Sequence, residues 1–170
     1  MVIGAPVSHY ADTADTGPDL IVAMASVNKS VLVPYSAQQM FDLVARAEDY
    51  PRFIPWCAGA RIVGGTPDTP IVRLDINYHG VRANFTTANQ NSPPDRIVIE
   101  LREGPFRRLD GTWRFRALAP AASKVELDLH YDFATPTLEK LVGPVFNHIA
   151  KTFIDAFVKR AESVYSPGKT

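Results

Sequence analysis

The sequence predicts an α+β fold: a curved antiparallel sheet of about six to seven strands, apolar on one face and wrapped around one long C-terminal helix. Three observations carry that reading. Residues 136–165 place apolar side chains at three- and four-residue spacings, the signature of a broad helical face. From about Ala60 to Phe133 the period changes to two, in runs separated by turn residues. The order is strand, two short helices, successive strands and a long helix. Consecutive strands with short links form an antiparallel meander.

The 170 residues suit a single domain with a substantial core. Acidic and basic side chains number 18 each, so no overall basic field points to nucleic acid, and DNA is not an expected partner. Cys57 is the only cysteine, which excludes an internal disulfide and fits a reducing cytoplasm. No apolar run approaches the ~20 residues that span a bilayer. Residues 1–24 carry Asp12, Asp15, Asp19, Gly17 and Pro18 and neither Lys nor Arg. Secretory and transit peptides need basic residues, so this stretch reads as a disordered extension. Met24 offers an alternative start, residues 25–165 form one domain, and residues 166–170 read as a tail.

Val27 to Val33 reads as the first strand, with Val27, Val31 and Val33 alternating. Ser36 and Gln39 then form a capping box, with Tyr35 and Met40 at the flanking staple positions. That helix runs to about Ala45 and buries Met40, Phe41 and Val44. A short helical turn follows from Glu48 to Phe53, limited by Pro51 and Pro55. Ala60 to Gly64 reads as a strand. Val72, Leu74, Ile76 and Tyr78 alternate with Arg73, Asp75, Asn77 and His79, a half-buried strand. His79-Gly80 is a tight turn, and Val81, Ala83, Phe85 and Thr87 return inward. After the loop from Asn91 to Asp95, the inward sets are Ile97, Ile99 and Leu101, then Trp113, Phe115 and Ala117. Val125, Leu127, Leu129, Tyr131 and Phe133 give the clearest alternation. Glu126, Asp128, His130 and Asp132 face outward, pairing with Arg114 and Arg116 across a hairpin. Thr135 caps the long helix and Pro136 suits its first position. Its apolar face is Leu138, Leu141, Val142, Val145, Phe146, Ile149, Phe153, Phe157, Ala161 and Val164. Pro144 inside the pattern predicts a kink or break.

Val33-Pro34-Tyr35-Ser36, the run from Tyr50 to Cys57, and the run from Gly104 to Trp113 resemble the coenzyme Q-binding, START-like branch of the polyketide cyclase/dehydrase superfamily. The helix segments 145–150 and 156–161 are similar to its C-terminal pattern. The resemblance covers about Ala25 to Tyr165. It implies a helix-grip (START-like) fold with an apolar cavity between sheet and long helix. Some members of that branch are held to bind ubiquinone and support respiration. Others, named ribosome association toxins, are held to bind the large ribosomal subunit and block subunit joining.

Searched for chemistry, the residues yield little. Cys57 reads as a small buried side chain. His9, His79, His130 and His148 show no ligand spacing with one another or with Cys57, so no metal site is expected. His148 is either a polar contact in the cavity or a helix-surface residue. Gly64-Gly65 and Gly143-Pro144 lack the spacing of a phosphate loop. Two features remain. Phe41, Trp56, Leu74, Tyr78, Phe85, Ile99, Trp113, Phe115, Leu129, Tyr131, Phe146, Phe153 and Phe157 form an inward set. By composition it is plain core; with the resemblance it is expected to line a cavity for ubiquinone or another prenylated quinone or lipid. Tyr78, Tyr131 and Trp113 would supply its few polar contacts, and loops near Trp56 and Pro105 its mouth. The second feature is a loop from Arg102 to Arg108, whose Arg107 and Arg108 form an exposed basic pair. It reads as a solvated loop or as a contact with anionic lipid headgroups or rRNA phosphates. The expectation is a non-catalytic cytoplasmic ligand-binding protein that needs no cofactor, with peripheral contact at the inner membrane. The alternatives are a toxin-type protein on the 50S ribosomal subunit and a cyclase-like enzyme with a titratable group facing the cavity.

Overall fold

Residues 25–166 are described by a computed structural model; the expectations for residues 1–24 and for the tail beyond Ser166 lie outside them. Seven strands form one antiparallel sheet: β1 (Ala25–Val33), β2 (Cys57–Gly65), β3 (Pro70–Tyr78), β4 (Val81–Ser92), β5 (Arg96–Glu103), β6 (Phe106–Ala119) and β7 (Ala122–Phe133). The spatial order is β1-β7-β6-β5-β4-β3-β2, so β2 to β7 is a meander and β1 closes its far side against β7. Between β1 and β2 the chain forms α1 (Ala37–Ala45) and a 3₁₀ turn (Ala47–Arg52). The long helix α2 (Pro136–Tyr165) then lies along the inner face. This is the α+β helix grip.

Local chemistry sets most boundaries. Ser36 Oγ accepts from Gln39 N–H at 3.0 Å while Gln39 Oε1 accepts from Ser36 N–H at 2.9 Å, which completes the capping box. Thr135 Oγ1 accepts from Leu138 N–H at 3.1 Å at the start of α2. His79 and Gly80, at φ 49° and 80°, make the two-residue hairpin between β3 and β4. Register shifts at Cys57/Gly59, Ile62/Gly64, Thr86/Thr87, Phe106/Arg108 and Ala117/Ala119 bend the sheet. Gly111, mid-strand between Ile99 and Leu129, allows close approach: a Cβ there would meet Asp128 O at 2.9 Å.

Three expectations are corrected. Of the kink or break expected at Pro144, the break does not occur: α2 is continuous through it. That residue sits on the exposed side, where water can satisfy the freed Lys140 carbonyl. Leu141 and Val164 are exposed, at 63% and 41%, while Ala150 and Ile154 are buried on the stripe with Val142, Phe146, Ile149, Phe157 and Ala161. Leu141 is one position off that stripe. At the other end it is Tyr165 that turns inward, donating its hydroxyl to Gln39 O at 3.0 Å. Ala117 is exposed too, because β6 runs past the helices into the β6–β7 hairpin.

Candidate functional site

Between the sheet and α2 lies an internal space of about 60 Å³. β3 supplies Val72 and Leu74, β4 supplies Phe85, Thr87 and Asn89, and β5 supplies Ile99. Leu109, Trp113 and Leu129 come from β6 and β7, and Phe146, Ile149, Ala150 and Phe153 from α2. Ala47, Tyr50 and Trp56 close it from the segment between α1 and β2. The alternation of each strand aims these side chains inward. Short side chains among them are Ala47 and Ala150.

The walls are almost wholly apolar. Thr87 Oγ1 donates to Asn89 Oδ1 at 2.8 Å. The Tyr50 hydroxyl donates to Val44 O at 2.5 Å, and burial holds it far above the usual phenol range. Among the described lining residues there is no carboxylate, imidazole, thiol, ammonium or guanidinium. Cys57 lies outside the lining, buried with its thiol directed at Gly59 O at 3.3 Å, and burial pushes it up to about 11. Among the described residues no group of three or more His, Cys, Asp or Glu is placed to hold a metal.

The inward aromatic and aliphatic set divides. Trp56, Leu74, Phe85, Ile99, Trp113, Leu129, Phe146 and Phe153 line the space. Phe41, Tyr78, Phe115, Tyr131 and Phe157 do not. Phe41 meets Phe115 edge-on at 5.6 Å beneath α1, and Phe157 sits fully buried among Tyr50, Phe53, Trp113 and Phe153. Tyr131 packs edge-on against Phe146 at 4.7 Å and donates its hydroxyl to Asn147 Oδ1. Tyr78 stacks on the exposed His148 at 5.7 Å, so that histidine is a helix-surface residue. Of the three expected polar contacts only Trp113 reaches the lining. Thr87, Asn89 and Tyr50 went unrecognised as lining. Thr87 stood in the β4 alternation and Asn89 continues its phase, but nothing in sequence placed Tyr50 over the sheet.

The basic pair is corrected. Arg107 and Arg108 belong to β6, and the turn before them is Gly104-Pro105. The bulge between Phe106 and Arg108 explains their placement: Phe106 is buried, two residues follow on the outer side, and Leu109 is buried again. Arg107 donates through Nη2 and Nε to Asp132 Oδ2 at 2.7 and 3.1 Å, and Arg108 donates to Asp110 Oδ2 at 3.3 Å. Pro105, expected at the mouth, does not line the space; its carbonyl accepts from Ala134 N–H at 3.0 Å. Trp56 does, and its other side lines an open outer groove of about 760 Å³.

Residues 33–158 match the family described as Polyketide cyclase / dehydrase and lipid transport. The chain is 37% identical over 145 residues to the ribosome association toxin RatA of Escherichia coli (strain K12), covering 85% of this chain and 92% of that protein. It is 22% identical over 142 residues to the mitochondrial coenzyme Q-binding protein COQ10 homolog B of Xenopus laevis, covering 81% of this chain and 58% of that one. Among solved structures, a START superfamily protein from Mycobacterium smegmatis superposes with a TM-score of 0.66 at 26% identity, covering 82% of this chain and 98% of that chain.

Proposed function

Because the chain belongs to the polyketide cyclase / dehydrase and lipid transport family, we propose that it binds an apolar ligand, ubiquinone or a similar prenylated lipid, without transforming it. Such binding would support respiratory electron transport. The observation that carries this reading is the apolar lining: Trp56, Phe85, Trp113, Phe146 and Phe153 around two neutral polar side chains, Thr87 and Asn89. Such a surface rewards burial of an isoprenoid chain by roughly 25 cal/mol per Å² and supplies few hydrogen bonds to fix orientation. Among the described lining residues there is no carboxylate, imidazole, thiol or amine, which supports a binding role over a cyclase, because proton transfer needs a group within reach of the ligand. Tyr50, the titratable residue that does line the space, has its proton committed to Val44 O.

At about 60 Å³ the space is smaller than the roughly 150 Å³ that admits benzene in an engineered protein core. Entry of a quinone would therefore displace part of the wall, where Phe153 is a partly exposed ring and Trp56 borders the outer groove. A second reading, association with the large ribosomal subunit, is favoured by the 37% identity to a protein named ribosome association toxin.

The test is solvent extraction of protein purified from a ubiquinone-making host, followed by mass spectrometry. Stoichiometric quinone is expected in the wild type and in Arg107→Ala/Arg108→Ala, and none in Phe153→Arg. An empty wild type that co-sediments with 50S particles would overturn the lipid reading in favour of the ribosomal one.

A further inference from the structure

Trp56 is the only described residue shared between the walls of the internal space and the outer groove. It is 4% exposed, rests against Phe153 at 5.6 Å between ring centroids, and borders both volumes. Their chemistry differs. The inner walls carry no charge, while the groove carries Arg52, Lys159 and Arg160 beside His148. Arg160 lies over the Phe53 ring at 5.0 Å, which holds its guanidinium at the rim. Two carboxylates adjoin these cations. Asp155 lines the groove but is held by Lys29 at 3.1 Å, and Asp49 reaches Arg52 only at 3.8 Å. The groove therefore keeps a net positive charge directly outside an apolar space too small for a ligand by itself.

We propose that the same site, besides a neutral prenylated lipid, takes an anionic amphiphile. Its apolar chain passes Trp56 into the space between sheet and α2, and its carboxylate or phosphate head stays in the groove against Arg52, Lys159 and Arg160. This rests on the apolar-ligand reading above and adds a charged head that the inner walls offer nothing to bind. The cations would contribute selectivity through charge-assisted hydrogen bonds, which are about twice as strong as neutral ones.

The test titrates the full chain with oleate and with oleyl alcohol, which share a chain and differ in the head, following the fluorescence of Trp56 and Trp113. Oleate is expected to bind about tenfold or more tightly than the alcohol. Arg52→Glu/Lys159→Glu, at two exposed positions, should erase that preference while leaving the alcohol's affinity unchanged. Arg82→Glu, an exposed position on β4 outside the groove, should keep it. Equal affinities in the wild type, or a preference that survives the double reversal, would overturn the anionic head and leave the apolar reading standing. Failure of both probes would remove the apolar reading itself and this inference with it. Inorganic phosphate is tested alone: if it reproduces the oleate signal at equal concentration, the groove serves a free anion and the proposal falls.

Discussion

The two faces of the sheet are built from the same strands and do different work. On its inner face β7 presents Val125, Leu127, Leu129, Tyr131 and Phe133 toward α2, all buried. On its outer face the same strand presents Glu126 and Asp128, which meet Arg116 at 2.9 Å and Arg114 at 3.7 Å. The inner face gains by removing apolar area from water, about 1.5–3 kcal/mol for each large side chain. The outer pairs remain half in water and are worth about 0.2–1 kcal/mol each. Stability should therefore sit almost entirely inside, with the empty space as its weak point. Substitutions on the two faces can break that division or sharpen it.

The largest effect is expected from Phe157→Ala. Its ring is 0% exposed and contacts four other aromatic rings, so truncation should cost about 3–5 kcal/mol. Phe153→Ala, one turn earlier, should cost about 1–3 kcal/mol, because that ring is half-buried and already borders unfilled space. Urea unfolding of both variants measures the difference. A Phe153 cost equal to that of Phe157 would mean that the wall is as tightly packed as the core and not ready to open.

Asp132 is a position of the outer face that departs from its rule. Asp132 faces outward in the alternation, yet its side chain is only 11% exposed, and Arg107 covers it with two hydrogen bonds. Arg107→Ala leaves that carboxylate nearly buried and unpaired, which should cost about 1–3 kcal/mol. Arg116→Ala, whose side chain is 61% exposed, should cost about 0.2–1 kcal/mol and lose even that in high salt. Equal costs at the two arginines would show that burial of the partner carboxylate does not set the value of these pairs.

These departures mark what was legible in the sequence. Period two placed β3 and β7, the three- and four-residue spacing placed α2, and the Ser36–Gln39 pair placed the start of α1. Each is a local pattern with a local cause. The placement of Arg107 depends on a bulge, which shifts the phase by one residue without any local signature. For the same reason a run of two arginines after Gly104-Pro105 read as loop. The candidate site was legible only in part. An inward position can be read from alternation, but whether it meets a void or another ring depends on side chains from distant elements. Phe153 and Phe157 share one helix face, yet only Phe153 borders the space; Phe53, just past the 3₁₀ turn, packs edge-on against Phe157.

A further predicted effect concerns pH, and it also lies on the inner face. Burial raises Cys57 from 9.0 to about 11 and Tyr131 from 10.0 to about 12. Both groups are neutral when protonated. The unfolded chain therefore releases their protons at a lower pH than the folded one, and alkaline conditions favour unfolding. For Cys57 the stabilisation is complete below pH 9 and is lost as pH rises toward 11. Its size is bounded by the roughly 2.7 kcal/mol of a full two-unit shift. Cys57→Ala should flatten the fall in the urea midpoint between pH 9 and 11 and leave the steeper loss above it, where the tyrosines titrate. If the variant follows the wild-type curve throughout, the thiol is effectively solvated and the apolar face does not extend to Cys57. If the curve flattens, the face that holds no charge at neutral pH is a source of the protein's alkaline sensitivity.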